Sequence, residues 1–168
     1  SSSEGKIRQA DALSKQLEWH RKQNKKIVFT NGCFDVLHRG HTSYLNFCKQ
    51  QGDILVIGVN SDSSVRTIKG PQRPINNEQD RLCVLAALEC VDYVTLFEEP
   101  DPQKLIQKLR PDILVKGEDW QDKGVIGSDF VESYGGKVVF APFVEGKSTT
   151  ATIEKIQASK ERDEAKGN

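Results

Sequence analysis

Five short apolar segments, each followed or preceded by a segment with helical periodicity, limit the fold of this chain more than any other feature. The clearest of them, residues 54–59, is the continuous apolar run Ile-Leu-Val-Ile-Gly-Val, which is typical of a strand covered on both faces. Strands that alternate with helices predict a parallel sheet with right-handed crossovers and helices on both faces. The predicted strands are residues 27–29, 54–59, 93–97, 113–115 and 138–140.

Apolar residues spaced three and four positions apart indicate the helices between these strands. The predicted helices are residues 7–23, 42–51, 76–89, 101–109, 130–134 and 150–159, and residues 60–74 are predicted to form a polar loop. The fold class is therefore α/β, with a Rossmann-like parallel five-stranded sheet. We expect a single domain over residues 6–159, a disordered start or tag remnant at 1–5 and a charged, disordered tail at 160–168.

Charge and hydropathy argue against two classes of protein. The 24 Lys and Arg residues balance the 24 Asp and Glu residues, so the net charge is zero, whereas a nucleic-acid-binding domain is usually basic. No apolar stretch approaches the roughly 20 residues that span a bilayer, and the N-terminus has no signal-peptide pattern. We expect a cytoplasmic protein with no nucleic-acid partner and no membrane insertion.

The four cysteines, at positions 33, 48, 83 and 90, contain no C-x-x-C pair, so their spacing does not favour a zinc site. Cys48, Cys83 and Cys90 fall within apolar helical patterns and are predicted to be buried, reduced thiols. No metal site made by side chains is predicted.

The segment Thr-Asn-Gly-Cys-Phe-Asp-Val-Leu-His-Arg-Gly-His, residues 30–41, joins the first predicted strand to the second predicted helix. A strand, a glycine-containing turn and a helix start make an anion site, because amide N–H groups and the positive end of the helix point at one spot. His38 and His41 bring two imidazoles to that spot, and Gly40 lets a phosphate approach the backbone closely. Donors held around a phosphate that gains charge stabilise a transition state. The segment predicts an enzyme that acts on a nucleoside triphosphate.

Two other side chains of this segment have open roles. Asp35 either holds the turn or lies near a metal. Cys33 has no visible activating group, so it is a weak candidate for a covalent nucleophile. Cys33 and Phe34 are instead expected to present backbone groups to a nucleotide.

Residues 66–74 form the second segment with a chemical signature. Arg66, Lys69 and Arg73 place three cations around Gly70, and such a loop suits a polyphosphate. Gly70 would act as a hinge if the loop closes over substrate. The alternative is a solvated basic loop without a ligand.

Two further segments follow the fourth and fifth predicted strands. Residues 116–120 are Lys-Gly-Glu-Asp-Trp, in which Trp120 belongs either to the core or to a pocket wall. Residues 145–150 are Glu-Gly-Lys-Ser-Thr-Thr, in which Ser148 and Thr149 are natural N-caps of the last helix. Because ligands bind beyond the carboxyl ends of parallel strands, all four segments are expected to meet at one rim of the sheet.

The four segments, in this order, resemble the cytidylyltransferase-like nucleotidyltransferases over residues 26–157. His38-Arg39-Gly40-His41 matches the HxGH signature of that family. Residues 116–120 resemble the G-x-D-W segment of the glycerol-phosphate cytidylyltransferases and the K-G-x-D segment of the heptose-phosphate adenylyltransferases. Residues 145–150 resemble the family's x-G-x-S-T-T element, although Lys147 replaces a residue that is usually apolar.

The resemblance implies a role for each matched residue. The residues implied in catalysis are His38, His41 and Lys69. The residues implied in nucleotide binding are Asn31, Gly32, Cys33, Phe34, His38, Gly40, His41, Lys69, Arg73, Gly117, Ser148, Thr149 and Thr150. The residues implied in acceptor binding are Asp35, Arg73, Lys116 and Asp119, with Lys116 on the acceptor's phosphate and Asp119 on hydroxyl groups.

The resemblance is closest to the adenylyltransferases that join ATP and D-glycero-D-manno-heptose 1-phosphate to give ADP-heptose and pyrophosphate. It implies Mg²⁺ with ATP, held mainly by phosphates, and a homodimer. None of the four segments determines whether the nucleotide base is adenine or cytosine. A cytidylyltransferase acting on glycerol 3-phosphate or another small polyol phosphate is therefore the alternative. An FAD synthetase-like enzyme is a third possibility. A non-catalytic nucleotide-binding module is disfavoured by the intact His38 and His41.

Overall fold

A computed structural model describes residues 2–142 and 149–166, with the side chains of residues 2–142 and 152–163. The strands of this part of the chain are β1 (Ile27–Gly32), β2 (Ile54–Asn60), β3 (Tyr93–Phe97), β4 (Ile113–Gly117) and β5 (Lys137–Ala141). They form one sheet in the order β3-β2-β1-β4-β5, and every neighbouring pair is parallel. The predicted five-stranded parallel sheet is confirmed.

Helices cover both faces of this sheet, as predicted. The helices are α1 (Ala10–Lys22), α2 (Arg39–Gln50), α3 (Asp62–Lys69), α4 (Glu78–Ala86), α5 (Gln103–Leu109), α6 (Ser128–Ser133) and α7 (Thr149–Lys166). Leucines of α1 and α5 pack on one face of the sheet with Ile27 and Phe29, whereas leucines of α2 and α4 pack on the other face with Val28. Each fully buried leucine contributes about 1.5–3 kcal/mol. No described helix is both long and apolar enough to cross a membrane.

Aspartates set the amino ends of the strands. An aspartate directly or shortly before β2, β3 and β4 accepts a hydrogen bond from a backbone N–H at the start of the neighbouring strand. The pairs are Asp53 Oδ2 with Lys26 N, Asp92 Oδ2 with Leu55 N and Asp112 Oδ2 with Ile27 N, each at 2.8 Å. The strand starts are therefore aligned by side chains as well as by the backbone ladder.

The central strands β1 and β4 stay in register for only a short distance. Their paired residues are Val28 with Ile113 and Phe29 with Leu114, whereas β1 and β2 are paired along the whole of β1. Beyond this point the Val115 carbonyl accepts hydrogen bonds from Thr30 Oγ1 and Tyr44 OH, both at 3.0 Å. The strand order also reverses between β1 and β4, which makes their carboxyl ends the switch point where ligands of such sheets bind.

The prediction of a polar loop at residues 60–74 is wrong over Asp62–Lys69, which forms α3. Ser61 begins this helix, because its side chain accepts a hydrogen bond from Ser64 N at 3.2 Å. Val65 is the buried apolar residue of this helix, and Gly70 ends the helix with a φ of 103°. Arg66 and Lys69 therefore lie on a helix, whereas Arg73 lies in the loop that follows.

The ends of the chain also differ from the prediction. Ser3–Lys6 forms a 3-10 turn instead of a disordered start, and Ile7 pairs with Val94 at the edge of β3, so α1 begins only at Ala10. At the other end α7 continues to Lys166, beyond the predicted limit of residue 159. The domain bounds of 6–159 stay a prediction.

The cysteines are less buried than predicted. Of the three predicted to be buried, Cys48 lies in the core, but Cys83 is exposed on the outer face of α4 and Cys90 is half-buried. Cys33, for which no burial was predicted, is also half-buried. All four are free thiols.

The hydroxyl group of Thr95 offers a test of how the core is packed. Thr95 is fully buried in β3, and its Oγ1 has no hydrogen-bond partner among the described residues. A buried hydroxyl without a partner costs about 1–3 kcal/mol, and valine has nearly the same shape without it. We expect Thr95→Val to raise the free energy of unfolding in denaturant titration by about 1 kcal/mol.

Thr30→Val is the matched control, because Thr30 is equally buried in β1 but its hydroxyl contacts Tyr44 OH at 2.7 Å and Val115 O at 3.0 Å. This variant should lose stability. A loss of stability in both variants would contradict the packing described for Thr95.

Candidate active site

The two histidines cap the helix that follows β1. Helix α2 begins at Arg39 rather than at the predicted residue 42, because the His38 imidazole acts as its N-cap. His38 Nδ1 accepts a hydrogen bond from Gly40 N at 3.0 Å, and His41 Nδ1 accepts one from His38 N at 3.3 Å. A backbone amide can only donate, so in both neutral imidazoles the proton lies on Nε2. The arrangement provides two Nε2–H donors on adjacent rings, whose centroids are 4.1 Å apart.

The backbone amides of this turn are already engaged, contrary to the expectation that they would bind an anion. Gly40 N donates to His38 Nδ1, whereas His41 N and Thr42 N donate to the His38 carbonyl at 3.0 and 3.2 Å. The candidate donors to an anion in this turn are therefore imidazole N–H groups rather than most of the amides.

The environment of His41 keeps its imidazole neutral. Burial lowers the pKa of His41 to about 4, and the neighbouring His38 and Lys69 act in the same direction. A neutral imidazole with its proton on Nε2 is a hydrogen-bond donor at physiological pH, and it does not depend on protonation to be one.

Phe34 shapes the turn between β1 and the histidines. Its φ of 48° is unusual for an aromatic residue, and its ring lies across Gly32. A Cβ on Gly32 would lie 2.9 Å from the Phe34 ring, so the glycine is required by this packing. The ring also meets His41 edge-on, with centroids 5.7 Å apart. The Phe34 ring thus packs against the His41 imidazole.

Cys33 does not have the character of a nucleophile. Burial raises the pKa of the Cys33 thiol, although Lys69, Arg81 and Arg73 oppose this shift with their positive charges. The thiol form is therefore favoured, in agreement with the weak nucleophile role expected from the sequence.

Asp35 holds the loop after α3 in place. Its side chain is fully buried, and its carboxylate accepts hydrogen bonds from Ile75 N, Asn76 N and Arg73 Nε at 2.8–3.0 Å. Burial alone would raise the pKa of Asp35, but these donors hold it below its usual value. Both oxygens are used, so the structure favours the turn-holding role over contact with a metal or an acceptor.

Arg81 is the residue of the site that the sequence analysis missed. Its guanidinium is buried and donates from Nη1 to the carbonyls of Cys33 and Asn60, at 2.7 and 2.8 Å. It also donates from Nε to the Asn76 carbonyl at 3.0 Å and from Nη2 to Asp62 Oδ1 at 2.8 Å. The only signal in the sequence is an arginine four residues before Leu85, on the apolar stripe of α4.

The three cations of the second segment have different surroundings. Lys69 is exposed at the end of α3, forms no salt bridge with a described carboxylate and acts electrostatically on His41 and Cys33. Arg73 is paired with Asp35 and only 13 % exposed, and its Nη2 has no acceptor in the described part of the chain. Arg66 is exposed one turn earlier on α3. Lys69 is thus the cation with both an uncommitted charge and proximity to the imidazoles.

The segment after β4 contributes a fourth group. Lys116 is half-buried, and burial lowers the pKa of its ammonium group while Asp119 and Cys33 oppose that shift. The Asp119 side chain folds back over Gly117, where a Cβ would lie 2.6 Å from Asp119 Oδ1. Trp120 is 40 % exposed, which excludes the core role.

Several predicted site residues lie at the limits of what is described. Ser148 and Lys147 lie outside the described residues, as do the side chains of Thr149 and Thr150 in the first turn of α7. Asn31 is half-buried near the end of β1. Within the described ranges, no group of three or more His, Cys, Asp and Glu side chains is arranged to hold a metal ion.

Known proteins are similar in sequence to most of this chain. Residues 29–158 match the family model described as cytidylyltransferase-like. The chain is 53 % identical over 154 residues to the bifunctional protein HldE of Trichlorobacter lovleyi, covering 92 % of this chain and 31 % of the relative. It is 51 % identical over 154 residues to that of Campylobacter curvus, covering 92 % and 32 %. The chain spans about a third of the length of these curated relatives.

Two solved structures are similar to most of this chain. The lipopolysaccharide core biosynthesis protein from Thermoplasma volcanium GSS1 is 32 % identical, with a TM-score of 0.59, over 71 % of this chain and 97 % of that chain. The pantoate-beta-alanine ligase from Francisella tularensis, solved with beta-gamma ATP and beta-alanine, shares the fold at 19 % identity and a TM-score of 0.59, over 81 % of this chain and 66 % of that one. With its HxGH turn, its parallel sheet and a family match over most of its length, the chain belongs to the cytidylyltransferase-like family.

Proposed function

We propose that this domain transfers the adenylyl group of ATP to D-glycero-D-manno-heptose 1-phosphate, giving ADP-heptose and pyrophosphate. The observation that carries the proposal is the pair of imidazoles at the start of α2, both with Nδ1 occupied by a backbone amide. The close resemblance of residues 116–120 to the heptose-phosphate adenylyltransferases supports the acceptor. A solved relative that is described as a lipopolysaccharide core biosynthesis protein is consistent with it.

The reaction requires little acid–base chemistry from the protein. An oxygen of the sugar phosphate attacks the α-phosphorus of ATP, the new P–O bond forms, and the bond to the bridging oxygen breaks as pyrophosphate leaves. The acceptor oxygen is already ionised, so no general base is needed. Charge grows on the α-phosphoryl oxygens and the leaving bridge, where the Nε2–H groups of His38 and His41 donate and Lys69 adds a positive charge.

The way in which Mg²⁺ could bind depends on which carboxylates are available as ligands. The described residues contain no cluster of metal ligands, and both oxygens of Asp35 already accept from protein donors. Mg²⁺ would therefore enter with ATP and be held by phosphate oxygens, where it neutralises charge. Asp119, which is exposed at the rim, would contact hydroxyl groups of the acceptor or nucleotide.

The second candidate is a cytidylyltransferase acting on glycerol 3-phosphate or another small polyol phosphate. The exposed Trp120 directly after Asp119 favours it, because the same pair occurs in the G-x-D-W segment of the glycerol-phosphate cytidylyltransferases. A homodimer in the cytoplasm is expected for either enzyme, from the resemblance alone.

The proposed function is tested by pyrophosphate release from ATP and from CTP, each with Mg²⁺ and with either heptose 1-phosphate or glycerol 3-phosphate. Release only with ATP and the heptose phosphate is the expected result. Release with CTP and glycerol 3-phosphate would move the assignment to the second candidate. No release in any combination would refute both.

His41→Ala tests the role of the imidazole pair. We expect kcat to fall about 100-fold or more, because the variant removes a donor that acts mainly in the transition state. His41→Gln, which keeps a side-chain N–H, should lose less. His20→Gln is the control, since His20 contacts Tyr93 OH away from this rim and should leave kcat unchanged. Near-normal turnover in a folded His41→Ala protein would rule out the role.

The neutral state of His41 can be measured directly by NMR. The chain has three histidines, so each imidazole signal can be assigned by its loss in a His→Gln variant. With a pKa of about 4, the His41 signal should stay at its neutral position from pH 8 to about 5. The unfolded chain would bind this proton near pH 6.5, so acidification from there towards pH 4 destabilises the fold. A titration midpoint near 6.5 would contradict the buried environment.

A further inference from the structure

Two lysine ammonium groups converge on one exposed indole ring at the carboxyl end of β4. Lys116 Nζ lies 5.2 Å and Lys123 Nζ lies 5.5 Å from the centroid of the Trp120 ring. Lys116 comes from β4 itself, whereas Lys123 comes from the loop after the 3-10 turn Glu118–Trp120. The ring is 40 % exposed, so a ligand can reach both the indole and the ammonium groups.

The charges of these two lysines are not matched within the described part of the chain. Neither ammonium forms a salt bridge with a described carboxylate. Asp119 attracts Lys116 but does not pair with it. Two like charges held near one ring repel each other, and the half-buried Lys116 also loses hydration. An anion bound between them would relieve both costs.

The position of the pair identifies which anion it suits. Lys69, which acts on His41, approaches the imidazoles from the β2 side of the rim, whereas Lys116 and Lys123 lie on the β4 side. Lys116 also interacts with Cys33, the residue just beyond β1. The crevice between β1 and β4 therefore has cations on both of its sides. A transfer reaction between two phosphates brings two anionic groups together, and cations on both sides of the crevice would attract one group each.

We propose that Lys123, together with Lys116 and Trp120, binds the phosphate of the sugar-phosphate acceptor. This inference rests on the proposed function and adds to it a second cation and an aromatic wall. A phosphate monoester carries a charge of about −1.5 to −2 at neutral pH, which two ammonium groups balance. Lys123 thereby favours acceptors with a dianionic phosphate over neutral sugars. Trp120, which both ammonium groups approach, borders the acceptor's carbon skeleton.

Binding can be measured without turnover, because the chain has only two tryptophans, Trp19 and Trp120. In a Trp19→Phe background the fluorescence reports Trp120 alone. Heptose 1-phosphate, or glycerol 3-phosphate as a second probe, is titrated while fluorescence and calorimetric heat are recorded. We expect saturable binding by both readouts. The fluorescence of Trp120 should change because the ammonium groups move away from the ring to contact the phosphate.

Lys123→Ala should weaken this binding about tenfold, since it removes one charge-assisted contact, and Lys123→Arg should restore most of it. Lys104→Ala is the matched control, because Lys104 is an exposed lysine on α5, and it should bind normally. In the turnover assay Lys123→Ala should raise KM for the sugar phosphate and leave KM for ATP unchanged. Unchanged acceptor affinity in Lys123→Ala would overturn the inference, and so would an equal change in both KM values.

The two proposals fail in different ways. Saturable binding that depends on Lys123, without pyrophosphate release from any nucleotide, would refute the proposed reaction and support the anion site. Normal turnover, with the same acceptor KM in Lys123→Ala as in the unchanged protein, would refute the anion site and support the reaction. An absence of binding to both phosphate esters, by fluorescence and by heat, would overturn the site directly.

Discussion

The buried guanidinium of Arg81 is the interaction on which the carboxyl rim of the sheet depends. It joins the chain after β1, through the Cys33 carbonyl, to the end of β2, through the Asn60 carbonyl, and to the loop before α4. A buried charge that loses a partner costs several kcal/mol, so all its acceptors are held in place together. The imidazoles and the cations of α3 can therefore keep a constant relative position, although the side chains of Arg66 and Lys69 are exposed.

The contacts around Asp35 extend the same principle. Its carboxylate accepts hydrogen bonds from two backbone amides and the Arg73 guanidinium of one loop. At the start of α2, each histidine ring accepts a hydrogen bond from a backbone amide of the turn. Polar groups are thus oriented before any substrate binds, which is the condition for strong electrostatic stabilisation of a transition state. The apolar layers on both faces of the sheet supply stability, and the rim above them is built almost entirely from hydrogen bonds.

The strands were predictable because each is a short apolar run that the sheet buries on both faces, and the histidine pair because it follows such a run directly. Helix α3 was not predictable in the same way. Its start depends on the Ser61 cap, and it has a single buried valine rather than an apolar stripe. The first turn of α2 was missed because an imidazole replaces the usual Ser, Thr, Asp or Asn cap. The role of Arg81 depends on acceptors from separate segments, and the approach of Lys123 to Trp120 depends on the turn between them. Sequence periodicity contains neither kind of information.

The hydroxyl of Tyr44 has a mechanical consequence. It belongs to α2 but contacts Thr30 of β1 and Val115 of β4, at the place where those strands separate. The helix that begins with the histidine turn is therefore attached by one side chain to both strands that border the crevice. Any closure around two substrates would then come from segments that make no such contact with both strands. The two imidazoles at the start of that helix would keep their place relative to both strands.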